Sequence, residues 1–113
     1  MKIATWNVNS IKARLPTVLE LLDAIACDVV CLQEIKCETD AFPYMELEDA
    51  GWTCAVHGQK SYNGVALLSK LPLEDVEMGL PGDADDDQAR FIEALVMSDT
   101  PLRVGCLYLP NGN

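Results

Sequence analysis

A strand, a helix and a second strand follow one another with almost no connecting chain, and this run limits the fold more than anything after it. Ile3 to Val8 is short, apolar and β-prone, and it ends in Asn7-Val8-Asn9-Ser10. Asn9 or Ser10 can cap the turn that follows, and Pro16 suits the first turn of a longer helix. Leu15, Val18, Leu19, Leu22, Ile25 and Ala26 recur every three or four residues, which is one helix face. Asp28-Val29-Val30-Cys31-Leu32-Gln33 comes next. Its apolar residues fall on both faces, as in an interior strand covered on both sides. Strand, helix and strand with tight joints make a βαβ unit, so the two strands are expected to run parallel.

The rest of the chain reads mostly as strands. Ala41 to Ala50 is a weaker helix. Trp52 to Val56 and Val65 to Ser69 are strands, with turn chemistry at Tyr62-Asn63-Gly64. Pro72 interrupts, and Leu73 to Met78 reads as a short edge strand. Gly79 to Asp87 is a loop. Phe91 to Met97 and Leu102 to Leu109 are two more strands around a Ser98-Asp99-Thr100-Pro101 turn. The class is α/β with a mixed sheet and flanking helices. In the last strand Leu107 and Leu109 share one face and Cys106 and Tyr108 the other, so both faces need cover. Only one strong amphipathic helix is available to supply it.

Composition narrows the partners. Lys plus Arg is 8 and Asp plus Glu is 18, for a net charge of -10. A broad basic surface for nucleic acid is excluded, whereas a focused site with a metal ion or a few basic side chains is not. No export signal or membrane-length apolar run is present. The five cysteines, an odd number without an export signal, are expected as free thiols in a reducing, cytoplasmic setting. Cys54 with His57 resembles half a metal site, but no C-x-x-C completes it.

Four residues carry possible chemistry. Asn7 ends the first strand and Glu34 follows the second, and ligands gather at such ends of parallel strands. Glu34 can ligate a hard metal while Asn7 adds an oxygen or orients the carboxylate, although Glu34 taken alone reads rather as a solvated strand-end residue. The Gly82 to Asp87 run fails as a calcium loop, because Gln88 stands where Gly is needed and Ala94 where Glu is needed, and it reads as a solvated loop. Arg90 either binds phosphate or neutralises that acidic run. Tyr108 is either a core aromatic with a wet hydroxyl or a phenol that hydrogen-bonds a phosphate or attacking oxygen. Asn111 enters only through the resemblance below.

As an ordered set, five short segments resemble bacterial exodeoxyribonuclease III, within the endonuclease/exonuclease/phosphatase superfamily. They are Trp6 to Arg14, Leu32-Gln33-Glu34-Ile35-Lys36, Gly58 to Ala66, Gln88-Ala89-Arg90-Phe91-Ile92-Glu93 and Tyr108-Leu109-Pro110-Asn111-Gly112. The resemblance implies the N-terminal part of a four-layer α/β sandwich of DNase I type, with residues 1–113 an incomplete domain. It implies hydrolysis of DNA phosphodiester bonds with Mg2+ or Mn2+, at 3′ ends of duplex DNA and beside abasic sites. By resemblance Glu34 is a metal ligand, and Asn7 supports the same metal and phosphate site. Tyr108 matches an active-site tyrosine, Arg90 a phosphate-contacting arginine, and Asn111 lies beside the scissile phosphate.

Two family motifs are missing from this sequence. No Asp is followed two residues later by Asn, and His57 is preceded by Val56 rather than Asp. The general base and most of the acidic metal shell are therefore expected elsewhere in a longer protein. The isolated chain is expected to be inactive and to self-associate through uncovered sheet. Three other readings compete: a superfamily phosphodiesterase with another substrate, a non-catalytic nucleic-acid-binding regulator, and a small free-standing domain.

Overall fold

The computed structural model describes residues 1–79 and 88–109. Its elements are β1 (Ile3–Asn7), α1 (Leu15–Ala24), β2 (Val29–Gln33), α2 (Tyr44–Asp49), β3 (Thr53–His57), β4 (Val65–Ser69), β5 (Leu73–Met78), β6 (Phe91–Val96) and β7 (Leu102–Leu107). A 3-10 turn at Thr39–Ala41 precedes α2. The βαβ unit forms as expected, and β1 pairs parallel with β2, Asn7 opposite Gln33. Its base is pinned where Lys2 N donates to Asp28 Oδ2 at 2.8 Å.

The first sheet has the order β1-β2-β4-β3 and is mixed, because β4 runs antiparallel to both β2 and β3. The second, β5-β6-β7, is antiparallel throughout. β5 is the expected edge strand and carries a register irregularity between Glu74 and Glu77. Such irregularities blunt an edge against further pairing.

Strand alternation sorts the side chains into two cores. Val30, Leu32, Val56, Ala66 and Leu68 face Val18 and Leu22 of α1 and Leu47 of α2. The alternate residues Val29, Cys31, Ala55, Val65 and Leu67 face Ile92, Ala94, Val96, Val104 and Cys106 of the second sheet. β2 is therefore buried on both faces, as its unbroken apolar sequence requires. Fully burying a residue such as Leu32 contributes about 1.5–3 kcal/mol relative to leaving it in water.

Two elements differ from the periodicity in instructive ways. The expected Ala41 to Ala50 helix splits at Pro43. Phe42, which precedes the proline, is extended at φ -66° and ψ 141°, as crowding against the proline ring demands. α1 stops at Ala24 because Ile25 is extended, and its side chain packs on the first core from outside the helix. Ser10 Oγ accepts from Ala13 N at 3.2 Å, so it caps the turn before α1 rather than α1 itself.

The last strand bears out the concern about cover. Cys106 faces the inter-sheet core with Tyr108 packed against it, while Leu107 and Leu109 are 43% and 74% exposed. Among the described residues, both helices lie on the outer side of the first sheet. Three layers of the implied four are thus on view. β1 and β7 line a common cleft of about 490 Å³.

Candidate metal and phosphate site

Glu34 leaves β2 with φ 54°, and Lys36 also has φ 54°. A left-handed backbone costs a residue with a side chain about 1–2 kcal/mol. The surroundings hold it there. Ser10 N donates to Glu34 O at 2.8 Å and Ile11 N to Ile35 O at 3.0 Å, continuing the parallel ladder past β1. From the other side Ile35 N donates to Gly64 O at 3.2 Å and Lys36 N to Asn63 O at 3.0 Å. Residues 34–36 are therefore clamped between two loops, the usual condition for strain to persist.

This backbone brings three of the five expected residues together. Asn7 Nδ2 donates to Glu34 Oε1 at 2.9 Å, and the Tyr108 hydroxyl donates to the same oxygen at 3.0 Å. Asn7 is itself oriented, since its Oδ1 accepts from Asn9 N at 3.1 Å. Lys36 Nζ lies 3.4 Å from Glu34 Oε2 and donates to Asn9 Oδ1 at 2.5 Å. The hydrogen bond from Asn7 does most to hold the Glu34 carboxyl below its ordinary pKa; burial opposes it, and the bonds from Tyr108 and Lys36 add to the lowering. Tyr108 moves the other way. Burial and its bond to ionised Glu34 raise the phenol above its usual value, with Arg90 opposing.

Arg90 adjoins this cluster. Tyr108 N donates to Arg90 O at 2.8 Å. Arg90 Nε is buried and has no hydrogen-bond partner among the described residues. A buried guanidinium N–H left unpaired is costly, and an anionic oxygen would satisfy it. The acidic run that offered the competing role for Arg90 lies outside the described residues, as does Asn111.

The network that positions Arg90 is not apparent from sequence. Buried Asn63 donates to Gln59 Oε1 at 3.0 Å and to Gln88 Oε1 at 2.9 Å, and Gln59 Oε1 also accepts from Ala89 N. Gly64 N donates to Ala89 O at 2.8 Å. The 59–64 loop thus ties Arg90's segment to the Glu34 loop. A Cβ on Gly64, at φ +92°, would sit 2.4 Å from Ile35 Cγ1; one on Gly58 would sit 2.4 Å from Cys37 O. Close approach explains both glycines of the Gly58 to Ala66 segment, of which sequence had given only Gly64 a role, in a turn.

The donor set fits a hard divalent cation of modest affinity. Asn7 turns Nδ2 to Glu34 and Oδ1 to Asn9 N, so it orients the carboxylate, and that one carboxylate suits Mg2+, which commonly keeps water and shares substrate phosphates. No cluster of three or more His, Cys, Asp or Glu is present among the described residues. Cys54 and His57, three apart on β3, point to opposite faces and form no metal pair.

A fold of two packed sheets with a polar cluster at the end of a parallel strand pair defines a class. The chain belongs to the endonuclease/exonuclease/phosphatase family, which matches residues 4–106. Exodeoxyribonuclease III of Haemophilus influenzae is 38% identical over 112 residues, covering 99% of this chain and 40% of that protein. The solved structure of the Neisseria 3′ phosphatase NExo bound to product DNA hairpin superposes with TM-score 0.92 and 47% identity, covering 99% of this chain and 42% of that one. An AP endonuclease from Archaeoglobus fulgidus gives TM-score 0.90 and 38% identity, covering 99% and 42%. The match is to the N-terminal portion of exodeoxyribonuclease III and AP endonuclease relatives. The chain spans about two-fifths of their length. No helix among the described residues is long and apolar enough to cross a membrane.

Proposed function

We propose that this chain supplies the metal- and phosphate-binding part of a DNA-repair nuclease of exodeoxyribonuclease III type. The reaction is Mg2+- or Mn2+-dependent hydrolysis of DNA phosphodiester bonds, as 3′–5′ exonuclease and abasic-site endonuclease. The observation that carries the reading is the convergence of Asn7 and Tyr108 on one oxygen of Glu34, beside an Arg90 Nε with no hydrogen-bond partner among the described residues.

Each side chain has a role in that chemistry. Glu34, oriented by Asn7, would hold the cation. The bound cation would neutralise charge on the scissile phosphate and the leaving 3′ oxygen. Arg90 donates from Nε to a phosphate oxygen, and charge-assisted bonds of this type orient as well as attract. Tyr108 keeps its proton at neutral pH, so it acts as a hydrogen-bond donor at the site rather than as the base. Asn111 is placed beside the phosphate by resemblance alone. The base must come from residues this chain does not contain, so the chain by itself does not turn over.

Duplex DNA with abasic sites or 3′ ends is the proposed partner. The NExo structure with a DNA hairpin supports this. The acidic total makes the contact local and salt-sensitive. The free edges of β1 and β7 make self-association a second expected contact. The cysteines Cys27, Cys31, Cys37, Cys54 and Cys106 are free, which suits a reducing cytoplasmic compartment.

The test is a chimera in which residues 1–113 replace the matching segment of the Haemophilus exodeoxyribonuclease III. Mg2+-dependent incision of a duplex with one abasic site is expected, and Glu34→Ala in the chimera should abolish it. A folded chimera that binds this duplex without cutting it would favour the non-catalytic regulator. Incision by the isolated chain, lost in Glu34→Ala, would show that the missing base is not needed.

A further inference from the structure

Cys31 and Cys106 belong to different sheets yet meet in the core between them. Their residues are 5% and 1% exposed, and Cα atoms of β2 and β7 approach within 8 Å of each other. Both side chains belong to the one apolar cluster that fills the space between the sheets. Cys106 Sγ also accepts from Gln33 Nε2 at 3.5 Å and donates to Leu32 O at 3.4 Å. Both residues line the cleft between β1 and β7, which is large enough to admit a small oxidant. The other three cysteines, Cys27, Cys37 and Cys54, belong to the core on the far side of the first sheet.

We propose that Cys31 and Cys106 form a redox modification site, oxidised by hydrogen peroxide to an intramolecular disulfide that ties β2 to β7. In the first step one sulfur attacks a peroxide oxygen, the O–O bond breaks and water leaves, giving a sulfenic acid. In the second step the other sulfur attacks the sulfenic sulfur, the S–O bond breaks and a second water leaves. Two thiols lose two hydrogens and two electrons, and one peroxide becomes two waters. Cys106 is the first nucleophile in this scheme, because the bond its sulfur accepts from Gln33 Nε2 favours the thiolate.

The location gives the bond a consequence. Cys31 lies three residues before Glu34, and Cys106 two residues before Tyr108. A covalent tie there fixes the sheet separation at the root of the Glu34–Tyr108 contact. This inference needs neither metal nor DNA, so it stands apart from the proposed hydrolysis.

Peptide mapping tests it. The full chain is treated with hydrogen peroxide, alkylated and digested with trypsin, and fragmentation separates Cys27 from Cys31 in their shared peptide. The expected result is the loss of two of the five reactive thiols, a Cys31–Cys106 linked peptide pair, and recovery of both thiols with dithiothreitol. Cys54→Ser should keep the link, and Cys106→Ser should lose it. If Cys106→Ser does not fold, the wild-type map decides by itself. Cys31 and Cys106 still alkylated after oxidation, or links only between chains, would overturn the proposal.

Discussion

The Tyr108 hydroxyl donates a 3.0 Å hydrogen bond to Glu34 Oε1, and this bond joins the two sheets at the mouth of the site. It links the segment after β7 to the segment after β2, 74 residues apart in sequence. Tyr108→Phe removes the donor but keeps the ring. A hydrogen bond to a charged group is worth about 1.5–3 kcal/mol when dry and less where water competes, so we expect a loss near about 1 kcal/mol by urea denaturation. The Glu34 carboxyl should also titrate higher. No change in either quantity would mean that the contact does not form in solution.

Glu34 itself gives a prediction in pH. Its folded pKa lies below the reference 4.5, with the Asn7 hydrogen bond as the largest cause. A depressed folded pKa contributes stability above the unfolded value and loses it as pH falls through the folded value. Stability should therefore decline below about pH 4.5 as Glu34 gains its proton. Asn7→Ala should move the Glu34 titration, followed by carboxyl carbon NMR, back up towards the reference. An unmoved titration would remove Asn7 as the orienting residue.

Gly64 combines two constraints at one backbone position. At φ +92°, and with Ile35 Cγ1 only 2.4 Å from where a Cβ would stand, Gly64→Ala combines strain with overlap. Strained backbone of this type costs about 1–3 kcal/mol. Thermal unfolding of Gly64→Ala should show a clear loss, whereas Gly51→Ala, with open space around it, should lose less despite φ +96°. Equal losses would mean that φ alone sets the cost.

The exposed outer side of β7 predicts association. Leu107 is 43% exposed beside the free edges of β1 and β7. Sedimentation at rising concentration should show self-association, and Leu107→Lys should shift the chain towards monomer. Monomer at all concentrations for the wild type would contradict this.

Every strand was legible in the sequence because strand periodicity is local, and residues 29–33 announced their double burial by an unbroken apolar run. The second helix was harder. Its apolar spacing spans Pro43, and the proline's steric demand overrides periodicity there. Asn7 and Glu34 were legible as a pair because parallel strands align their ends. The aim of Tyr108 at Glu34 and the Gln59–Asn63–Gln88 network were not. They depend on how the two sheets stack and on loops meeting across long sequence separations. The Cys31–Cys106 contact was hidden for the same reason, since two small apolar thiols on interior strands read as ordinary core.

The central claim is that Glu34 anchors the cation in a phosphate site. Manganese EPR on the chain and on Glu34→Gln, with and without a short DNA ending in a 3′ phosphate, tests it most directly. The wild-type chain should remove free Mn2+ signal weakly alone and more strongly with the DNA, and Glu34→Gln should lose the DNA-dependent part. Equal Mn2+ uptake by the two chains in the presence of the DNA would contradict the account.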